Sequence, residues 1–228
     1  MELNFLLKVS IGLLAILSIT LGLASVFLNR RSRAAQLWCL LSASIGVWSS
    51  GLLLVMFAKT EQQGIFYSQL LHLGAAFIPV LFLHFVLRFT YDVSAAKRIF
   101  LRIGYVAAVI FGLLSFTTNI VAGSPPQIGF DRWVSVGPWY PAYLIYFWVY
   151  SFATMYFLFQ GYRRSDGVMR RKIGYVFVAS IIGFIGGGTS FLPQTLGIYP
   201  YGDFVVWLYP ILVTWGIFVD EIHIRIRS

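Results

Sequence analysis

Apolar residues in this chain do not alternate. They run on in blocks, each broken by a short charged or Pro/Gly-rich stretch. The blocks at residues 5–28, 35–58, 65–90, 99–122, 141–161, 173–192 and 204–219 average about 22 residues. About 20 helical residues at 1.5 Å rise cross a hydrocarbon core roughly 30 Å thick. Strands of a membrane barrel would need alternating runs of about ten residues, and none is present. The pattern predicts an all-α integral membrane protein, a bundle of seven transmembrane helices. The first block is too long for a signal-peptide core, and Arg30-Arg31-Ser32-Arg33 follows it directly. That flank retains a helix in the membrane.

Composition agrees. Of 228 residues 59% are hydrophobic and 11% charged, with a mean hydropathy of +0.80. Soluble domains carry about 45–50% apolar and about 25% charged residues, so a soluble enzyme or nucleic-acid binder is excluded. The lone cysteine, Cys39, excludes an intramolecular disulfide and a cysteine zinc site. It reads as a small packing residue.

The net charge of +9 is mostly topology. Loops after the first, third and fifth blocks, with the C-terminal tail, hold 14 of the 17 Lys and Arg. The other side holds Lys8, Lys59 and Arg132. The positive-inside rule then sets the N-terminus outside and the C-terminus in the cytoplasm of a multi-pass membrane protein. The basic loop at 163–172 also offers charge to anionic lipid. No loop is long enough for a soluble domain. The longest, 123–140, is external, and its prolines and glycines forbid a continuous helix. Trp133, Trp139 and Tyr140 are expected at the headgroup level. No internal repeat relates the halves, which weighs against an inverted-repeat transporter.

Polar residues inside a membrane are the functional lead, because each costs energy there. Lys8, Arg88 and Arg102 lie near block ends and can snorkel. No charge falls at mid-membrane, which argues against a proton pump. The seventh block has no lysine, so a retinal Schiff base is excluded. His72 and His84, about 18 Å apart along one helix and rotated by roughly 120°, cannot ligate one iron. No haem, other cofactor or metal is expected. His84 reads as a helix–helix contact, and Pro79 between the two predicts a kink. Small residues recur at Ser42, Gly46, Ser50 and at Ala179, Gly183, Gly187, a spacing that suits bundle packing or a homodimer. Gly186-Gly187-Gly188 marks a weak point in the sixth helix.

The seventh block, about 24 Å long as a helix, would leave Asp203 recessed below the outer headgroups. Tyr199 and Trp207 stand beside it. Gln69, His72 and Asn119 come from other external ends. A recessed polar cluster roofed by Trp133 and Trp139 is the expected site for a small, amphipathic or apolar ligand. An interfacial aromatic belt explains the same aromatics without a ligand.

Several stretches carry a resemblance. They are Ser44-Ile45-Gly46-Val47-Trp48-Ser49-Ser50-Gly51, Phe77-Ile78-Pro79-Val80-Leu81-Phe82-Leu83-His84, and Phe191-Leu192-Pro193 followed by Gly197-Ile198-Tyr199-Pro200-Tyr201-Gly202. The chain resembles the seven-transmembrane sensor region at the N-terminus of bacterial histidine kinases. The resemblance implies a non-catalytic sensor, residues 1–222, whose seventh helix leads through 223–228 to a cytoplasmic kinase or other output domain in cis or in trans. No dimerisation helix, phospho-acceptor motif or ATP-binding domain follows residue 222, so no catalysis is assigned to the chain. The competing function is a small-solute transporter or channel subunit, which the missing mid-membrane charge disfavours.

Overall fold

A computed structural model describes residues 2–92 and 94–227, with side chains as far as Phe218. Seven long helices are present among the described residues: α1 (Glu2–Leu28), α2 (Arg33–Phe57), α3 (Glu61–Phe89), α4 (Ala95–Leu114), α5 (Tyr140–Arg164), α6 (Gly167–Gly188) and α8 (Leu208–Arg227). A single turn of helix, α7 (Leu192–Leu196), lies between the last two. The starts are written locally. Ser32 and Ser94 accept from the N–H of Ala35 and Lys97, and Thr60 and Gln63 form a reciprocal capping box on α3. Five helical stretches are long and apolar enough to span a membrane: Glu2–Leu28, Arg33–Phe57, Glu61–Phe89, Tyr140–Arg164 and Gly167–Leu196. α4 begins with Lys97, Arg98 and Arg102, and the apolar part of α8 is the shorter stretch Leu208–Phe218.

Three boundaries depart from the apolar blocks. The fourth helix stops at Leu114, because the hydroxyls of Ser115 and Thr117 take up the carbonyls of Gly112 and Leu114. α6 leaves α geometry at Gly188 and tightens into a 3-10 turn, Thr189–Phe191, at the expected weak point. The last helix starts at Leu208, not at 204. Pro210 tolerates only a first turn, so the preceding residues Tyr201–Phe204 form a separate 3-10 turn. This helix runs on to Arg227, past the expected end of the span at 219.

Packing sorts the helices into a closed ring. α1 touches α2 and α8, α2 touches α3, α3 touches α5, α5 touches α6, and α6 touches α8. α4 lies outside the ring, against α3 and α5. α3 is the spine: between Leu71 and Phe89 only Leu73, Phe77, His84 and Arg88 escape burial. The small-residue stripes serve contacts within the bundle. A Cβ on Gly46 would meet Ile19 of α1 at 2.7 Å, and one on Gly183 would meet Tyr209 of α8 at 2.5 Å. His84 makes the expected helix–helix contact, its Nδ1 lying 2.8 Å from the Tyr105 hydroxyl on α4. Beside Pro79, Tyr146 donates to the Ala76 carbonyl at 2.8 Å, next to the carbonyl that proline leaves without a donor.

The 123–140 loop is ordered by a two-strand hairpin, β1 (Val121–Gly123) with β2 (Ser135–Val136). Its aromatics do not share one environment. Trp133 and Tyr140 are buried, whereas Trp139 is 55% exposed. Trp133 and Tyr140 face protein, and both indole and phenol have polar partners inside the fold.

Candidate functional site

The expected site residues divide into two buried polar clusters and a set of surface groups. Asp203, in the turn before α8, is fully buried. Its Oδ2 accepts from the Ser190 hydroxyl at 2.5 Å, and its backbone carbonyl accepts from Ser10 of α1 at 2.5 Å. Its Oδ1 has no partner among the described residues. Burial pushes the carboxyl up to about 8, and the Ser190 hydrogen bond offsets only part of that.

The second cluster surrounds His72, also fully buried. Its Nδ1 lies 2.7 Å from the Ser68 carbonyl, which can only accept, so Nδ1 carries the proton. Nε2 then has a lone pair and no partner among the described residues. The rings of Tyr140 and Tyr143 meet the imidazole edge-on at 5.6 and 5.7 Å. A relay reaches this cluster from the loop: Trp133 Nε1 donates to Gln194 at 3.1 Å, and Gln194 donates to the Tyr140 hydroxyl at 2.9 Å.

The remaining expected residues stay apart. Tyr199 donates to Asn4 at 2.9 Å, and the Trp207 indole donates to the Phe204 carbonyl at 3.0 Å. Asn119 is half-buried in its own turn, bonded to Thr117. Its carbonyl accepts from the backbone N–H of Trp139. Gln69 is half-buried on α3. The structure brings His72 to Trp133 through Gln194, and Tyr199 and Asp203 to the N-terminal part of α1.

Between the helices lies an apolar pocket of about 40 Å³. All six ring helices line it: Leu14 from α1, Trp48 from α2, Ala75 from α3, Phe147 from α5, Gly187 from α6 and Tyr209 from α8. Phe191 and Val206 contribute from the segment linking α6 to α8, and α4 contributes nothing. The glycines of α6 form one wall, so the bulk absent there becomes space here. Both polar clusters sit about one helical turn away, since His72 precedes Ala75, Tyr143 precedes Phe147 and Asp203 precedes Val206. Apart from the α6 glycines, none of these lining positions announces itself in the sequence. Each is an ordinary apolar or small residue, and only closure of the ring makes them neighbours. The spacing of Gly183, Gly187 and Gly188 was the available signal, and it reads equally as packing.

A ring of apolar helices enclosing an apolar pocket defines a helical membrane protein. The chain belongs to the family of the N-terminal 7TM region of histidine kinase, whose model matches residues 11–222. No curated protein matches it. The family is a membrane sensor region and is not itself catalytic.

Proposed function

We propose that this chain senses a small apolar or amphipathic ligand in the six-helix pocket, reached from outside or from the bilayer of a bacterial plasma membrane. The signal passes through α8 to a kinase or other output domain, carried on the same polypeptide or on another. In this reading the N-terminus is outside, residues 1–222 form the sensor and 223–228 lead towards the output. The carrying observation is the pocket wall. All six ring helices contribute to it, so an occupant that alters the fit is felt by every one. Gly183 on that wall packs against Tyr209 of α8, which continues as helix to Arg227. Binding works by favouring one of two ring arrangements over the other.

The test fills the pocket. A Cβ on Gly187 would stand 3.5 Å from Trp48 and 3.6 Å from Val206, ordinary contacts. Gly187→Leu therefore places its longer side chain in the open space. An octanol-length diazirine probe should label peptides bearing Trp48, Phe184 or Tyr209 in the native chain. That labelling should disappear in Gly187→Leu, while labelling at the exposed Phe152 persists. Fused to a kinase output domain, the variant should hold autophosphorylation at one level. Unchanged labelling of the pocket peptides in Gly187→Leu would remove the pocket as the ligand site.

A further inference from the structure

Where α5 hands over to α6, an open groove of about 570 Å³ runs between the two helices. Near the turn its wall carries Arg170 and Arg171 with the rings of Tyr162 and Tyr175. Further along, the wall is Phe159, Phe177 and Val178. Phe177 follows Arg170 by seven residues, so the cationic and apolar ends lie about 10 Å apart along the helix axis. The turn end is the interfacial end of both helices, and the apolar end points towards mid-bilayer.

The cations are placed. Arg170 lies 4.8 Å over the Tyr162 ring, which holds its guanidinium at the wall. Other charges nearby are engaged elsewhere. Arg164 reaches Asp92, which also pairs with Lys97, and Lys172 donates to the Ile217 carbonyl at 3.1 Å. Arg163 is exposed and does not line the groove. Asp166, at the start of α6, forms no ion pair with Arg170 or Arg171, and no other acid does so among the described residues.

We propose that this groove binds an anionic phospholipid, with the phosphate on Arg170 and Arg171 and one acyl chain along Phe159, Phe177 and Val178. Guanidinium pairs match phosphate in charge and in donor geometry. Free phosphate would gain nothing from the apolar wall. A zwitterionic lipid would keep the chain contact but bring its own cation against the arginines. The site is separate from the six-helix pocket and shares no lining residue with it.

The test uses the whole chain, delipidated in detergent and titrated with dioleoyl phosphatidylglycerol or dioleoyl phosphatidylcholine, with bound lipid counted by native mass spectrometry. One phosphatidylglycerol should bind roughly 10- to 30-fold more tightly than phosphatidylcholine, the order expected from two basic residues. R170Q/R171Q should erase that preference. R31Q/R33Q, a basic pair at the turn between α1 and α2, should retain it. Val178→Trp should weaken both lipids. If the double variant is not monodisperse, R171Q alone should show a partial loss. An undiminished preference in R170Q/R171Q overturns the site, and equal loss in both arginine pairs reduces it to diffuse surface charge. Competition by inorganic phosphate as strong as by the lipid makes it a free-anion site, which also overturns the proposal.

Discussion

Asp203 is a carboxyl held out of water with one side-chain donor for its two oxygens. Its folded-state value, about 8 against the usual 3.8, means that the folded protein holds this proton more tightly than the unfolded chain does. The stability tied to it is complete below about pH 4 and is lost as the pH rises through 8. The unfolding midpoint of the native chain should therefore fall between pH 5 and 9 relative to Asp203→Asn, which keeps the shape but cannot ionise. Parallel curves for the two proteins would show that Asp203 does not titrate in this window. The same residue ties Ser10 of α1, through its backbone carbonyl, to Ser190 after α6, through its carboxyl. His72 stands differently. It is buried against two tyrosines, and its only hydrogen bond among the described residues is to its own helix.

At the scale of elements, the closest approach joins α2 to α3. A Cβ on Gly51 would stand 2.6 Å from the Leu71 nitrogen, and one on Gly74 would stand 2.5 Å from the Trp48 nitrogen. Both neighbours are backbone, which cannot rotate away as a side chain can. Gly74→Ala should therefore force the helices apart and cost about 1–3 kcal/mol. Gly12→Ala makes the opposite case: its Cβ would meet only Leu53, at 3.8 Å. Removing a helical glycine there should leave the protein as stable or about 0.5–1 kcal/mol more so. Thermal unfolding in detergent compares the two, and equal effects would dissolve the argument for a backbone-tight α2–α3 seam. The seam matters because Trp48, which it fixes, lines the pocket.

For the whole molecule, direction in the membrane decides which end meets the ligand and which meets the output. The basic asymmetry predicts that the hairpin loop is external and the turn between α5 and α6 cytoplasmic. Pro126 and Asp166 are exposed positions in those two segments. In a Cys39→Ala background, an impermeant maleimide added to intact cells should label Pro126→Cys and spare Asp166→Cys. The reverse pattern would invert the sensor and put the Asp203 cluster on the inner side.

The apolar blocks by themselves determined that the chain is a helical membrane bundle. Uninterrupted runs of membrane length leave the backbone no other way to satisfy its hydrogen bonds in lipid. Local chemistry determined several of the starts, through Ser32, Thr60 and Ser94. It also carried Pro210, which moves the last helix to Leu208, although hydropathy alone obscured that signal. Which helices touch was decided only in three dimensions. A helix that is apolar on all sides gives no stripe to say which face meets protein and which meets lipid. That is why the pocket itself is absent from the pattern. The polar residues expected to form one recessed site were individually legible, since each is costly in a membrane. Their division into an Asp203 cluster and a His72 cluster, one turn from an apolar pocket, came from ring closure. Long-range contacts such as Ser10 to Asp203 and Trp133 to Gln194 join segments far apart in the chain, and no local periodicity encodes them.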